Sequence, residues 1–360
     1  MKLYAVSGKI CACWFSALIG GLCALHVSVK AADPPGASDD QVPAAERTKL
    51  IDAIATKVDA EYVFPDLAKK MADAIRAHAA RGDYNAVASA NLLAAKLTAD
   101  LREVSHDRHL MVEYGAEGAE DEPLGLPTAE VLEAERKKEQ TANYGFSIAE
   151  RMQGNIGYID FRFFAPPAIA AETANGAMAF VANCDALIID LRKNHGGDPE
   201  MVAYLASYLF DGRTHLNDIY VRRGDELNQF WTMPSLPGQA FGGKKPVYIL
   251  TSHDTFSGAE DFAYALKNLK RATIIGEVTG GGAHPTRPFK VTDHFVVAVP
   301  FARSISPITH TDWEGTGVEP DVVVPADDAL KAAYRTALEN ILGTATDPER
   351  KEQLKKLLAK

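Results

Sequence analysis

The chain has 360 residues, of which 47% are apolar and 24% are charged. This composition is ordinary for a globular protein, and the length allows one large or two modest domains with a substantial core. The formal net charge is −10, from 38 basic and 48 acidic residues. An acidic balance argues against broad binding to nucleic acid or to anionic membranes, so we expect neither as a partner.

Residues 1–31 have the pattern of a secretory signal peptide. Lys2 and Lys9 precede an apolar stretch, residues 13–29, and small residues lie at the −3 and −1 positions of a cleavage point after Ala31. An uncleaved membrane anchor is the alternative, but the stretch is short for a membrane span. We therefore expect an exported protein, periplasmic or secreted.

The cysteine count fits export without disulfides. Removal of the signal takes Cys11, Cys13 and Cys23 and leaves Cys184 alone. One cysteine cannot form an internal disulfide. Because Cys184 lies just before the apolar run 186–189, we expect a buried structural thiol rather than a nucleophile.

The next part of the chain is predicted to be helical. Residues 32–44 are rich in Pro, Asp and Ser and are typical of a flexible linker. Residues 45–104 place apolar side chains at helical spacing in three stripes, with breaks at Pro65 and Gly82. This pattern predicts a small bundle of three helices without chemical motifs.

Residues 105–342 alternate between strand and helix patterns, and a charged tail follows over 343–360. The predicted elements are a strand at 110–112, a polar helix within 115–142, a hairpin over 146–161, a helix at 168–181, strands at 186–191, 247–250 and 272–275, helices after Pro199 and Ser257, a hairpin through 295–299 and a helix at 327–342. The alternation predicts an α/β core with a mixed or mostly parallel sheet between helices. Ligands of such sheets bind beyond the carboxyl ends of the strands.

The most informative turn in this core contains Ser257, between an apolar strand and a helix that begins near Gly258. The first amides of a helix are unpaired and point toward developing negative charge. A serine at such a turn is a candidate nucleophile, and the Gly258 amide is a candidate oxyanion donor. The alternative is a plain helix cap, since Ser257 and Glu260 also match a capping box.

Other segments are expected to reach the same edge of the sheet. His109 is the candidate base, because imidazole transfers protons near neutral pH. Glu314 is the candidate carboxylate that orients this base, as the third member of a triad does. Gly197, with Gly196 before it, would let a backbone amide complete the oxyanion hole with Gly258.

Each of these residues has an alternative interpretation. His109 is otherwise a surface histidine, Glu314 an exposed loop carboxylate and Gly197 part of a tight turn. His106 and His284 stay open as alternative bases. The His-x-x-His pair at 106 and 109 is also a metal-binding pattern, but no third ligand stands out, so we expect no metal and no cofactor.

Four ordered segments carry a family resemblance: Asp190 to Gly197, Thr255 to Glu260, Gly280 to Pro285, and Trp313 to Asp321. Together they resemble the S41 peptidase family, which includes the C-terminal processing proteases, the tricorn core protease and the repeats of interphotoreceptor retinoid-binding protein. The likeness is greatest to the retinoid-binding branch and covers essentially all of the chain after the signal. It implies a ClpP/crotonase-like α/β core in which Ser257 is the nucleophile.

The chain departs from the C-terminal processing pattern in two ways. Those proteases use a lysine downstream of the serine as base, and Gly282 stands at the matching position. Tricorn-like members use a histidine and a glutamate, which His109 and Glu314 match, but Arg108 replaces the serine before that histidine. Residues 115–142 are also too few for the PDZ module that reads substrate ends in the processing proteases.

We therefore predict an exported serine-type peptidase acting on peptide or protein substrates. Ser257 would attack the carbonyl, His109 would act as base and then as acid, Glu314 would orient it, and the amides of Gly258 and Gly197 would hold the oxyanion. The alternative is a non-catalytic binding protein for retinoid-like or other hydrophobic ligands. The retinoid-binding branch and the missing lysine favour that alternative.

Overall fold

A computed structural model describes residues 41–87, 89–115 and 129–359. The predicted signal peptide, most of the predicted linker over 32–44 and the first three cysteines lie outside these residues. Among the helices in the described ranges, none combines the length and the apolar character needed to cross a membrane.

Three helices precede the α/β part of the chain, as predicted: α1 (Ala44–Glu61), α2 (Pro65–Arg81) and α3 (Ala90–Ser105). Their apolar stripes pack together and are fully buried at Ile54, Ile75 and Leu97. Local sequence explains the boundaries. Pro65 stands in the first turn of α2, Gly82 ends that helix with a φ of 81°, and the Ser89 side chain accepts a hydrogen bond from the Leu92 amide at the start of α3.

The central sheet has six strands: β2 (Phe146–Met152), β3 (Ile156–Phe161), β4 (Ala186–Asp190), β7 (Val247–Thr251), β8 (Thr273–Gly276) and β12 (Val322–Val323). Their order is β12-β8-β7-β4-β3-β2, and all neighbours are parallel except the hairpin β2–β3. The predicted mixed, mostly parallel sheet is confirmed.

Helices cover both faces of this sheet: α5 (Pro167–Val181), α6 (Pro199–Ser207) and α7 (Gly258–Asn268) on one face, and α8 (Ala326–Thr344) and α9 (Pro348–Leu358) on the other. Strand β4 shows why both faces need cover. Leu187 and Ile189 pack toward α5–α7, whereas Ile188 packs toward α8 and α9, because successive strand residues point to opposite faces. Cys184 is buried in the first of these cores, as expected of a structural thiol.

Two small sheets complete the fold. One joins β1 (Met111–Tyr114), β9 (Thr286–Lys290) and β10 (Phe295–Pro300), and the other joins β5 (His215–Val221), β6 (Glu226–Trp231) and β11 (Ala302–Ile305). The β1–β10–β9 sheet shares a core with helices α1–α3, so the segment between α3 and β1 is held beside the loop before β9. The hairpin β5–β6 was not predicted, because buried polar residues such as Asn217 and Asp218 break its apolar alternation.

Two charged segments are helical. Helix α4 (Ala129–Thr141) is the predicted polar helix, and residues 116–128 before it lie outside the described ranges. The charged tail over 343–360 is mostly helix α9, which its charge pattern did not indicate. Asp347 caps this helix through the amides of Glu349 and Arg350, and Leu354 is buried against the core.

Candidate active site

Ser257 lies on a strained turn between β7 and α7. Its backbone has φ 54° and ψ −120°, a left-handed conformation that non-glycine residues rarely adopt. Helix α7 begins at the next residue, Gly258, so the serine stands at the helix N-terminus. Strain of this kind is typical of a serine nucleophile exposed at the end of a strand.

The carboxylate of Glu260 holds this turn against the glycine loop over 279–282. Glu260 is completely buried and accepts hydrogen bonds from the Ser257 amide at 2.8 Å, the Gly281 amide at 2.7 Å, the Gly282 amide at 2.9 Å and the Thr279 hydroxyl at 2.5 Å. Burial raises the pKa of Glu260, and these hydrogen bonds offset part of the rise. The predicted capping contact from Glu260 is therefore present, and it also positions the turn.

The loop after β4 brings a second backbone amide to Ser257. A Cβ atom built on Gly196 would lie 2.8 Å from Ser257 Cβ, and one on Gly258 would lie 3.0 Å from the Gly197 nitrogen. Gly197 has a φ of 136°, and a Cβ there would lie 2.2 Å from the Phe164 carbonyl oxygen. Only glycine fits this close approach, which places the Gly197 and Gly258 amides side by side.

His109 lies on the segment between α3 and β1 and reaches the serine turn. Its ring packs on that of Phe256, the residue before Ser257, with ring centroids 4.7 Å apart. The side chain is 11% exposed. Both ring nitrogens are buried, and neither makes a hydrogen bond within the described residues. The nearby ionisable group is Asp107, whose Oδ1 lies 3.6 Å from His109 Nδ1.

The other two candidate bases occupy different environments. His106 ends α3 as its C-cap, with a φ of 57°, and is exposed. His284 is buried, and its Nδ1 lies 2.6 Å from Asp107 Oδ2. Of the three histidines, His109 is the one whose ring contacts Phe256.

Asp107 is the residue at this site that the sequence did not suggest. It is 1% exposed and shares its carboxylate among three partners. Oδ2 accepts from the Tyr62 hydroxyl at 3.1 Å and contacts His284, while Oδ1 accepts from the His109 amide at 3.0 Å. Burial alone would raise the pKa of Asp107, but the imidazoles of His109 and His284 hold it well below its usual range. The available signal was an aspartate two residues before the histidine, the spacing of an Asx turn.

Glu314 lies beside His284. Its Oε2 accepts from the Ala283 amide at 2.5 Å and lies 3.5 Å from His284 Nδ1, whereas its Oε1 is buried and has no hydrogen-bond partner in the described part of the chain. Within the described residues, no hydrogen bond or ion pair joins Glu314 to His109. Burial, together with the nearby Asp107 charge, raises the pKa of Glu314.

Asp107, His284 and Glu314 have ligand atoms within 4.8 Å of one another, close enough to surround a metal ion. The exposed His106 is not part of this group, so the His-x-x-His pattern is not its origin. Imidazole and carboxylates are suitable ligands for zinc, but His284 and Asp107 here already satisfy each other by a hydrogen bond.

The space next to Gly282, where the family resemblance led us to look for a lysine, is occupied. A Cβ atom on Gly282 would lie 2.3 Å from Phe256 Cζ and 2.5 Å from His109 Cε1. The absence of a side chain at this position is therefore what admits the imidazole. Gly282 therefore accounts both for the missing lysine and for the room that His109 occupies.

This overlap makes a prediction for Gly282→Lys. We expect the lysine to displace His109 and to lower peptide hydrolysis by roughly 10²-fold or more, because small misplacements of a reacting group carry costs of that size. The measurement is kcat/KM together with the thermal unfolding midpoint. Gly176→Lys is the matched control, since Gly176 is exposed on α5 with no atom within 4 Å of its Cβ position. Activity of Gly282→Lys at or above that of the parent would contradict this account.

Comparisons with known proteins find relatives of both parts of the chain. The family model described as "Peptidase family S41" matches residues 155–324. The model described as "N-terminal domain of Peptidase_S41 in eukaryotic IRBP" matches residues 44–144. Together they cover the helices α1–α3 and most of the α/β part, including Ser257 and Gly197.

Curated relatives include carboxyl-terminal-processing peptidase 2 of Arabidopsis thaliana chloroplasts, 32% identical over 184 residues, which are 47% of this chain and 32% of that protein. The carboxyl-terminal-processing protease of Picosynechococcus is 28% identical over 180 residues, 50% of this chain and 42% of that protein. The chain thus spans less than half the length of these two relatives.

Solved structures share the fold at low sequence identity. A protein of Parabacteroides merdae assigned as a peptidase has a TM-score of 0.56 at 19% identity, over 81% of this chain and 96% of that one. A lipoprotein from Streptococcus agalactiae has a TM-score of 0.52 at 15% identity, over 82% and 97%. With its core and its N-terminal helices both matched by models of one family, the chain belongs to peptidase family S41.

Proposed function

We propose that this protein is an exported serine peptidase that cleaves peptide bonds with Ser257 as nucleophile and His109 as base. The observation that carries the proposal is the meeting of three elements at one strained turn. Ser257 stands at the N-terminus of α7, the Gly197 and Gly258 amides lie beside it, and the His109 ring packs on the adjacent Phe256.

The proposed reaction has two steps, formation of an acyl-enzyme and its hydrolysis, and the same groups act in both. Ser257 Oγ attacks the carbonyl carbon and its proton passes to His109, while the Gly197 and Gly258 amides donate to the oxyanion. His109 then gives the proton to the leaving amine, and the acyl-enzyme forms. Water repeats the sequence with His109 as base, which releases the acid and restores the serine.

Neither of two cavities in the described part of the chain suits the alternative of a carrier for retinoid-like ligands. A cavity of about 530 Å³ at the carboxyl ends of β3, β4 and β7 is lined by charged side chains, among them Asp160, Arg162 and Arg192. An apolar cavity between the sheet and α5–α7 has a volume of about 10 Å³, less than one water molecule occupies in the liquid. Ligand pockets for apolar molecules are usually several hundred Å³ and lined by apolar groups.

A fluorophosphonate probe tests the proposal directly. We expect covalent labelling of the folded protein, with peptide mapping that places the adduct on Ser257 and not on Ser252 in the same turn. Heat-unfolded protein should not react, because the serine is activated only by its folded surroundings. No adduct on Ser257, together with saturable retinol binding, would instead support the carrier.

Export belongs to the proposal as well. It rests on the positive, apolar and small-residue pattern of residues 1–31. The mature N-terminus of protein recovered from the periplasm or medium is expected near residue 32. Recovery of the full-length chain in the cytosol would contradict export and leave the hydrolase assignment untouched.

A further inference from the structure

We propose that Asp107, rather than Glu314, is the positioning carboxylate of the His109 base, and that Tyr62 of the N-terminal helices fixes Asp107 for this task. The inference rests on the proposed function and names a further residue for the same reaction. It assigns a role in the site to the helical part of the chain, from which the sequence predicted none.

The contacts of the two carboxylates favour Asp107. Asp107 Oδ1 lies 3.6 Å from His109 Nδ1 and accepts a hydrogen bond from the His109 amide at 3.0 Å. Asp107 thus holds both the backbone and one ring edge of the base. Glu314 has its Oε2 on the Ala283 amide and beside His284. Within the described residues, no hydrogen bond or ion pair joins Glu314 to the proposed base, whereas Asp107 makes both kinds of contact with it.

The electrostatics of proton transfer require a partner for Nδ1. His109 is nearly buried, and within the described residues neither ring nitrogen makes a hydrogen bond, so an imidazolium there needs a neighbouring negative charge. When the Ser257 proton arrives at Nε2, the Nδ1–H can donate to Asp107 Oδ1 after a movement of under about 1 Å, which closes 3.6 Å to ordinary hydrogen-bond length. Hydrogen bonds at such sites are often long before substrate binds.

The rest of the Asp107 carboxylate is already engaged, which fixes its orientation. Oδ2 accepts from the Tyr62 hydroxyl and contacts His284 Nδ1. Tyr62 is the C-cap of α1, so this hydrogen bond ties the helical bundle to the site. With Oδ2 held from two sides, Oδ1 is the oxygen left facing His109.

Several other charged groups face this cluster and enter any pH profile. On the loops around β9 and β11 these groups are His284, Glu314 and Asp312. On α3 it is Arg102, which donates to the Leu110 and Arg108 carbonyls. Arg108 also belongs to the set, since its guanidinium lies over Phe256 and donates to the Gly280 carbonyl. Within the described residues, the ion pair to the His109 ring comes from Asp107 and not from these groups.

The test compares Asp107→Asn with Glu314→Gln. Both remove one negative charge and keep the side-chain size, and glutamine can still accept from the Ala283 amide. We expect kcat to fall by roughly 10²- to 10⁴-fold in Asp107→Asn with little change in KM, and by much less in Glu314→Gln. Rates are expressed per phosphonate-titratable site, so unfolded protein does not count.

The acid limb of kcat/KM gives a readout that a purely structural role would not move. An ionised carboxylate beside a base stabilises the protonated form of that base, so removing the carboxylate shifts the acid limb of the rate profile. The acid limb of Asp107→Asn should therefore move to lower pH, and that of Glu314→Gln should move less. An equal or larger effect of Glu314→Gln on kcat and on the limb would overturn the proposal.

Tyr62→Phe covers the case in which Asp107→Asn fails to fold. It removes one donor to Asp107 and leaves the negative charge less stabilised, so the pairing with the imidazoles strengthens. The acid limb should move to higher pH, opposite to the direction expected for Asp107→Asn, and an unchanged profile would count against the proposal.

Loss of activity in EDTA with recovery in Zn²⁺ would also overturn the proposal, in favour of a metal at Asp107, His284 and Glu314. Ser257→Ala separates the two levels, because full activity in that variant would refute the proposed function itself.

Discussion

Ser257→Ala is expected to lower kcat/KM for peptide hydrolysis by roughly 10⁴- to 10⁶-fold, the size seen when a serine nucleophile is removed. The reason is covalent: Ser257 supplies the oxygen that forms the acyl-enzyme, and alanine has no nucleophilic atom. Binding and the amides of Gly197 and Gly258 remain, so a small rate above that in water should persist.

Folding should survive the substitution, since alanine and serine have similar difficulty with a φ of 54° and a ψ of −120°. We expect the free energy of unfolding of Ser257→Ala to change by at most about 1 kcal/mol, the size of a lost helix cap. Ser257→Gly should be equally inactive yet more stable than Ser257→Ala by about 1 kcal/mol, because glycine adopts this backbone without strain. Thermal unfolding measured beside activity checks both statements.

Ser252→Ala is the matched control in the same turn. Ser252 Oγ donates to the Arg192 carbonyl and accepts from the Asp254 amide, so its loss should cost about 1 kcal/mol of stability but retain labelling of Ser257. If Ser257→Ala hydrolyses peptides at the parental rate, the assignment of the nucleophile is wrong.

Glu260→Ala is expected to be the most destabilising single substitution around the site. It removes the acceptor of four hydrogen bonds, from Ser257, Thr279, Gly281 and Gly282, in a completely buried position. Each stranded donor costs about 1–3 kcal/mol, so the loss should reach at least about 4 kcal/mol. Because domains are stable by only about 5–15 kcal/mol, much of the protein should be unfolded.

Glu260→Gln gives a graded version of the same test. The amide keeps one oxygen but turns an NH₂ group toward two of the donors, so we expect roughly half the loss seen for alanine. The free energy of unfolding, measured by chemical denaturation, and the extent of phosphonate labelling should fall together, since Glu260 holds both the serine turn and the glycine loop. Glu150→Gln, at an exposed position on β2, should change neither. A Glu260→Ala protein as stable as the parent would show that the four donors find other partners.

Much of the fold was predictable from local patterns. The three helical stripes before residue 105, the parallel strands β4, β7 and β8 and the helices after Pro199 and Ser257 were all predicted, because apolar periodicity reports directly on burial. The hairpin β5–β6 and helix α9 were not. Their stability depends on buried polar groups and on single contacts such as Leu354, which periodicity does not report.

The sequence by itself determined the family, the sheet and the chemical types at the site: a serine at a strand-to-helix turn, glycines that let amides approach it, and histidines within reach. These follow from residue identity and local spacing. Only the tertiary structure decided which histidine contacts the turn and which carboxylate accompanies it. Tyr62, Asp107, His284 and Glu314 are far apart in the chain, and their contacts arise from the packing of α1–α3 and the β1–β10–β9 sheet against the glycine loop. Such contacts cannot be predicted from the periodicity of the sequence, because each depends on where two segments distant in the chain meet in the folded protein.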